Sequence, residues 1–357
     1  MNLSTFGWCP GSSFDLAFAP FRQAGFVAAR VISEHRGTYR IYMETGEADA
    51  QVTGHFRHQA EDSLMFPAVG DWVVAEPHGE NSPATIHQVL PRTSQFVRKA
   101  AGSATEGQIV AANIDTVFLM SGLDGDFNVR RIERYLVTAW ESGARPVVIL
   151  NKADRCADVD GAIAHVESIA IGVPVHSMSA TTGQGIEQLD SYLLPGKTVA
   201  LIGSSGVGKS TLTNDLLGQH QQATQAVRAD DSRGRHTTTH RQLLPLPSGA
   251  LLIDTPGMRE LQLWSAGSGL QETFGDIEAL AENCKFCDCQ HEMEPGCAVQ
   301  GAIALGTLDP RRLQSYQKLQ REHQWIEERQ DIHARNNTKR RWKQMTKTMR
   351  QQNKHLR

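Results

Sequence analysis

No stretch of this sequence approaches the roughly 20 consecutive apolar residues that a membrane span requires, so no membrane attachment is expected. The opening MNLSTFGWCPGSSFDLAF lacks a basic segment leading into an apolar core. No secretory leader is therefore read, and the chain is expected in the cytoplasm. Cysteine is scarce, 6 in 357 residues, which in a reducing compartment excludes a disulfide-stapled fold. No internal repeat is present, which excludes a solenoid. What the chain does have is 40% hydrophobic and 21% charged residues, a mixture that builds real cores and excludes a wholly disordered chain. Its length exceeds one ordinary domain and leaves room for two or three.

The formal net charge of −3 conceals an asymmetry. From Arg311 to Arg357 there are 14 Lys and Arg against 4 Asp and Glu, whereas the rest carries 22 against 35. An acidic body with a basic tail points to a polyanionic partner, most often nucleic acid, although a merely solvated tail has the same composition. Cysteine usage is as uneven. Cys9 and Cys156 stand alone, while Cys284, Cys287, Cys289 and Cys297 share one short segment, and in a reducing compartment such a cluster points to a metal.

Residues 1–30 have no readable pattern. From about Val31 to Lys99, short β-like runs (RVISEHRGTYRIYM, VGDWVVAE, ATIHQVL) are separated by Gly, Pro and Asn, with a turn at Thr45-Gly46. That spacing predicts a small barrel of about five strands over 31–100, either OB-like and RNA-binding or purely structural. Beyond it strands and helices alternate. DTVFLM, RPVVILNKAD, VPVHSMSA and TVALIG read as strands, VRRIERYLVTAWESG as an amphipathic helix stopping at Gly143, and LLPLPSGALLIDTPG as a hairpin. Further helices are expected near 159–169 and 185–193. The alternation predicts an α/β domain over 101–262, a parallel sheet with helices on both faces. A mostly helical region, 263–335, surrounds the cysteines, and a basic tail, 336–357, follows. The fold class is thus multidomain α/β.

Gly203-Ser204-Ser205-Gly206-Val207-Gly208-Lys209-Ser210 fits G-x-x-x-x-G-K-[ST], follows an apolar strand and opens the helix that continues through Thr211. Its backbone N–H groups can face phosphate oxygens, Lys209 can reach the β- and γ-phosphates, and the Ser210 hydroxyl can ligate Mg²⁺. Asp254, at the carboxyl end of ALLI, suits a water-mediated Mg²⁺ contact, and the Gly257 N–H can approach the γ-phosphate. In Asn151-Lys152-Ala153-Asp154 the Asp154 carboxylate can accept both N1–H and the 2-amino group of guanine. It opposes adenine, which has no such amine. Asn151 and Lys152 would support that loop and cover the base. Ser179-Ala180-Thr181 fits a second base loop, whose backbone N–H meets the guanine carbonyl. The ligands expected are GTP or GDP, with Mg²⁺. One of Thr237, Thr238 and Thr239 is expected to close on Mg²⁺ and the γ-phosphate, and Thr238 stands for that ligand.

The order of these motifs is unusual. GTPases ordinarily run phosphate loop, switch threonine, DxxG, NKxD, SA; here NKAD and SAT come before the phosphate loop, the threonines and DTPG. That is a circular permutation, permitted when the original termini lie close together. It also leads the chain from DTPG straight to the cysteine segment, so that a γ-phosphate-dependent shift at Gly257 can be passed on. The permuted order, Gly234-Arg235-His236 before the threonines, DTPG and the Cys/His segment together resemble the ribosome small-subunit-dependent GTPases of bacteria, from about residue 31 onward. The resemblance implies an N-terminal OB barrel, a permuted GTPase domain and a C-terminal zinc domain. It implies a GTP hydrolase acting late in maturation of the small ribosomal subunit, stimulated by that subunit and bound to its rRNA. A monomer is expected.

The resemblance further implies one structural Zn²⁺ held by Cys284, Cys289, His291 and Cys297 in the pattern C-x4-C-x-H-x5-C, tetrahedral and without an open position. Cys287 is then a bystander or an alternative ligand; its spacing permits either. Met258 follows Gly257 where many GTPases carry a water-orienting Gln. His236 is the candidate for that role, from its place before the threonines and from the resemblance; its other reading is an RNA-contacting loop residue. Trp342 among Arg340, Arg341 and Lys343 suits base stacking beside phosphate neutralisation. Arg36, Arg40, Arg57, Arg92, Arg98 and Lys99 of the barrel are further cationic candidates. The alternative to a subunit-stimulated hydrolase is a GTP-responsive RNA-binding switch or scaffold in which hydrolysis is incidental. His236 and the threonines favour the hydrolase, because a binder needs no group to orient water.

Overall fold

The computed structural model describes residues 2–35, 37–60, 62–79, 82–99, 107–218, 241–254 and 267–329. Strands β1 (Val27–His35), β2 (Thr38–Met43), β3 (Gly46–Val52), β4 (Trp72–Glu76) and β5 (Ala84–Val89) form the barrel, in the order β1-β2-β3-β5-β4 closed by pairing β4 to β1. Only β3 and β5 run parallel, the arrangement expected of an OB-like barrel. Val31, Ile41, Val73 and Ile86 fill its interior and are fully buried.

β1 begins four residues before the expected Val31, because Val27–Arg30 pair with Trp72–Ala75. The unreadable N-terminal residues also have structure. Leu3–Phe6 makes a 3-10 turn, and helix α1 (Ser13–Arg22) starts where Ser12 accepts the Asp15 N–H. Leu3, Phe6 and Phe18 join the core that holds Trp72, and Trp8 meets that indole edge-on at 4.8 Å. Their apolar residues are anchored to distant partners, which no local periodicity reveals. A short helix, α2 (Gly54–Gln59), connects β3 to the segment before β4.

Strands β6 (Gln95–Lys99) and β7 (Gly107–Ala112) pair antiparallel, so the chain on the two sides of residue 100 is joined by a ladder. The α/β layer follows with β8 (Thr116–Gly122), α3 (Val129–Ser142), β9 (Arg145–Asn151), α4 (Val159–Glu167), β10 (Val175–Ser177), β11 (Thr198–Gly203), α5 (Lys209–Leu216), β12 (Arg241–Pro245) and β13 (Leu251–Asp254). Its order is β10-β9-β8-β11-β13-β12, parallel apart from the β12–β13 hairpin. α3 starts at the Asn128 cap and stops where Gly143 turns left-handed, as the sequence predicts.

The helix expected near 185–193 is instead a 3-10 segment, Ile186–Tyr192, between left-handed Gly185 and Pro195, with Leu189 as its one fully buried anchor. Separate cores lie on the two faces of the sheet. β12 also pairs with β1, Ser33 to Gln242 and Glu34 to Arg241, so barrel and α/β layer share one continuous sheet.

The remaining described residues are helical: α6 (Gly267–Thr273), α7 (Gly275–Ala281), α8 (Ala298–Ala304) and α9 (310–329). Phe274, Ile277, Val299, Leu313 and Tyr316 form their core together with Val137 of α3. No helix among the described residues is long and apolar enough to cross a membrane.

The structure corrects one of the barrel cations. Arg92 is not a surface charge: it pairs with buried Asp71 at 2.8 Å and donates to the carbonyls of Leu64 and Phe66. Arg98 is held by Gln108, and Arg40 by Glu47. Arg36 and the tail with Trp342 lie outside the described residues.

Candidate active site and metal centre

Three of the expected loops meet at the carboxyl ends of β9, β10 and β11. Asn151, 2% exposed, holds them together. Its amide donates to the Val207 carbonyl of the phosphate loop at 2.7 Å, and its Oδ1 accepts the Ala180 N–H of the SAT loop at 2.9 Å. The Ala180 N–H is therefore engaged by the protein. This close packing explains Gly208: its φ is +108°, and a Cβ there would come within 2.2 Å of the Asn151 amide nitrogen. The Ala153 N–H reaches the Met178 carbonyl at 3.1 Å, tying NKAD to β10 as well. Asp154 is exposed in the turn after β9, and no residue among those described takes its carboxylate.

In the phosphate loop, Lys209 opens α5 and its ammonium lies on the Gly203 and Ser204 carbonyls at 2.5 and 2.6 Å. Ser210 is exposed beside it on the first turn. Parallel pairing of β11 with β13, Ala200 opposite Ile253, brings Asp254 to the same end of the sheet. Hydroxyl and carboxylate oxygens are donors that suit Mg²⁺. Gly257, His236 and Thr237–Thr239 lie outside the described residues.

Two site residues escape the sequence reading. Asp124 and Asp126 occupy the turn between β8 and α3, and each touches a motif. Asp124 pairs with Lys152 at 2.6 Å, and Lys152 holds its carboxyl below the usual range. Asp126 accepts the Ser204 hydroxyl at 2.5 Å and a two-oxygen contact from Arg131 at 2.7 and 2.9 Å. Burial pushes the Asp126 carboxyl up, but Ser204 and Arg131 outweigh it and leave it lowered. The only local signal is two acids after a buried strand, which by itself is an ordinary turn.

The ligand atoms of Cys284, Cys289, His291 and Cys297 all lie within 4.8 Å of one another. Cys284 Sγ is 3.6 Å and Cys297 Sγ 3.5 Å from His291 Nδ1, and the two sulfurs are 3.9 Å apart. Vertices of a tetrahedron about 2.3 Å from its centre lie about 3.8 Å apart, so the four can hold one metal ion. His291 turns with φ +59°, a conformation unusual for a residue with a side chain. The Gln300 amide secures that turn by donating to its carbonyl at 2.6 Å. Cys297 caps α8. Cys287 is exposed and stands outside the group.

Sheet order and chain order together define the class: a circularly permuted GTPase, with an OB-like barrel before it and a Cys/His cluster after it. A family model described as RsgA GTPase matches residues 89–264. One described as ABC transporter matches 186–356; a phosphate loop between strand and helix is common to both kinds of protein. The "Small ribosomal subunit biogenesis GTPase RsgA 2" of Lactiplantibacillus plantarum is 50% identical over 322 residues, 90% of this chain and 89% of that one. The corresponding RsgA of Opitutus terrae is 48% identical over 97% of this chain and 96% of its own. The crystal structure of YjeQ from Thermotoga maritima is similar with a TM-score of 0.62 at 29% identity, over 84% of this chain and 98% of that one. YloQ, described as a circularly permuted GTPase, is alike in fold, with a TM-score of 0.59 at 24% identity over 85% of this chain and 96% of its own. The chain belongs to the RsgA GTPase family and is a GTP-hydrolysing enzyme.

Proposed function

We propose that this GTPase acts in late maturation of the small ribosomal subunit, binds that subunit through its rRNA, and hydrolyses GTP fastest when docked there. The observation that carries the nucleotide part is Asn151, which pins NKAD, the phosphate loop and SAT to one another. In this reading Asp154 reads guanine, while Lys152 covers the base. With the Ala180 N–H held by Asn151, the loop N–H facing the guanine carbonyl is that of Thr181. The phosphate-loop N–H groups and Lys209 hold the phosphates. Ser210, Asp254 and Thr238 hold Mg²⁺, which when bound offsets charge on the β- and γ-oxygens. His236 orients the attacking water and Gly257 senses the γ-phosphate.

Cys284, Cys289, His291 and Cys297 hold one structural Zn²⁺, a choice supported by three soft thiolates and an imidazole in tetrahedral reach. The functional division is a barrel (31–100) and a basic tail (336–357) facing rRNA, with the GTPase (101–262) between them and the zinc domain (263–335) passing nucleotide state onward. The protein works as a cytoplasmic monomer. Relatives named for small-subunit biogenesis, matching nearly the full length, support the choice of partner.

The test is GTP turnover by the full chain with and without purified small subunits. Turnover is expected to rise by at least tenfold with subunits, and His236→Ala is expected to bind GTP and subunit yet lose most of that rise. Equal turnover with and without subunits would contradict the proposed partner. A fully stimulated His236→Ala would return His236 to an RNA-contacting role.

A further inference from the structure

Strand β8 lies between β9, which carries NKAD, and β11, which carries the phosphate loop. In parallel register Gly122 sits opposite Asn151, and Met120 opposite Gly203. Among the described residues, the turn leaving β8 is thus the connection that emerges between the two nucleotide loops, and it touches both. Leu123 donates to the Asn151 carbonyl at 2.8 Å, fixing the turn to the end of β9. Asp124 and Asp126 then reach in opposite directions, to Lys152 and to Ser204. The Asp126 backbone N–H also donates to Asp124 Oδ1 at 3.2 Å, which fixes the Asp124 carboxylate to the turn.

We infer that this turn is a clasp: Asp126 positions the phosphate loop through Ser204, and Asp124 positions the base loop through Lys152. The inference rests on the GTP reading above. Two carboxylates beside a triphosphate site would ordinarily repel the ligand. Here each is matched by one cation, Lys152 for Asp124 and Arg131 for Asp126, so the turn supplies acceptors at little net charge. A turn formed only for its own sake needs no partner 78 residues away, as Asp126 has in Ser204. The consequence reaches the phosphate-binding lysine. Ser204 lies in the turn whose carbonyls carry the Lys209 ammonium, so holding the Ser204 hydroxyl fixes where Lys209 starts. Both aspartates are positioning residues, because each acts on the site through another side chain.

The test is the rate at which the full chain releases a fluorescent GDP, alongside its melting temperature. Asp126→Ala and Ser204→Ala are each expected to speed release about tenfold, the scale of one charge-assisted hydrogen bond. Combined, they are expected to be no faster than either alone, because both remove the same contact. Ser204→Thr keeps the hydroxyl and is expected to release GDP more slowly than Ser204→Ala does. Asp124→Ala is expected to give a similar acceleration that multiplies with that of Ser204→Ala, since it acts through Lys152. Wild-type release rates in the single variants, or an Asp126→Ala/Ser204→Ala double variant about a hundredfold faster, would overturn the clasp while leaving the nucleotide site intact. A wild type that does not bind GDP would overturn the nucleotide reading, and the clasp with it.

Discussion

Where the barrel meets the α/β layer, the joint includes a backbone ladder and a buried cation. β1 pairs with β12, and fully buried Arg30 donates to the Gly70 carbonyl at 3.2 Å, the Asn113 carbonyl at 3.3 Å and the Thr198 hydroxyl at 2.8 Å, and also to the Phe6 carbonyl. Its guanidinium lies over the Trp72 ring at 5.2 Å. Burial pulls the Arg30 pKa down to about 10, with Asp115 and Asp71 opposing the fall, so it stays charged at neutral pH. Where the helical region meets the same layer, the joint is made of side chains on α3. Arg312, held within the helical region by Asp276 at 2.7 Å, reaches Glu133 of α3 at 3.0 Å, while Arg130 pairs with Asp309 and Arg134 with Glu322. A β-ladder cannot slip without losing its hydrogen bonds, whereas long side chains follow a helix that shifts by an ångström or so. The barrel is thus joined to the nucleotide layer by a backbone ladder, and the helical region by side-chain contacts on one helix.

Chelation at the Cys/His cluster should separate the two regions most completely. A chelator is expected to melt helices in 267–329, because a domain of this size draws about 10 kcal/mol of folding free energy from a structural metal. GDP binding should survive. Loss of helical circular dichroism with retained GDP titration is the expected result; unchanged helicity after complete metal removal would contradict it.

The two joints separate further under substitution. Arg30→Ala leaves buried carbonyls and a hydroxyl without their donor and is expected to cost about 3–5 kcal/mol. That loss should appear in one transition shared by barrel and α/β layer. Arg312→Ala is expected to cost about 2 kcal/mol, less because Arg130 still faces Glu133 at 2.5 Å. It should shift only the transition of the helical region. Urea unfolding checks both, with Trp72 reporting on the barrel and Trp325 on the helices. A shared transition in the Arg312 variant would mean that the two joints do not differ.

Much of the site is legible in sequence because its motifs are contiguous. The phosphate loop needs only a strand, a glycine-rich turn and a helix start, and residues 198–216 supply all three in order. NKAD, SAT and the Cys/His spacing are local in the same sense, as is the hairpin β12–β13. What escapes is long-range pairing. Arg30 finds Thr198 across 168 positions, and Asp126 finds Ser204 across 78; nothing in either residue's neighbourhood names its partner. Arg92 shows the converse error, since a cation in a barrel sequence looks like surface until its partner Asp71 is seen to be fully buried. The β1–β12 pairing is invisible for the same reason.

Guanine reading by Asp154 is tested most directly by competing GDP against xanthosine diphosphate for the full chain. The wild type is expected to prefer GDP by more than a hundredfold, since an acceptor left unpaired against the wrong base penalises it heavily. Asp154→Asn, whose amide suits the C2 oxygen of xanthine, is expected to reverse that preference with the fold intact. An Asp154→Asn variant that still prefers GDP as the wild type does would contradict the guanine site at the end of β9.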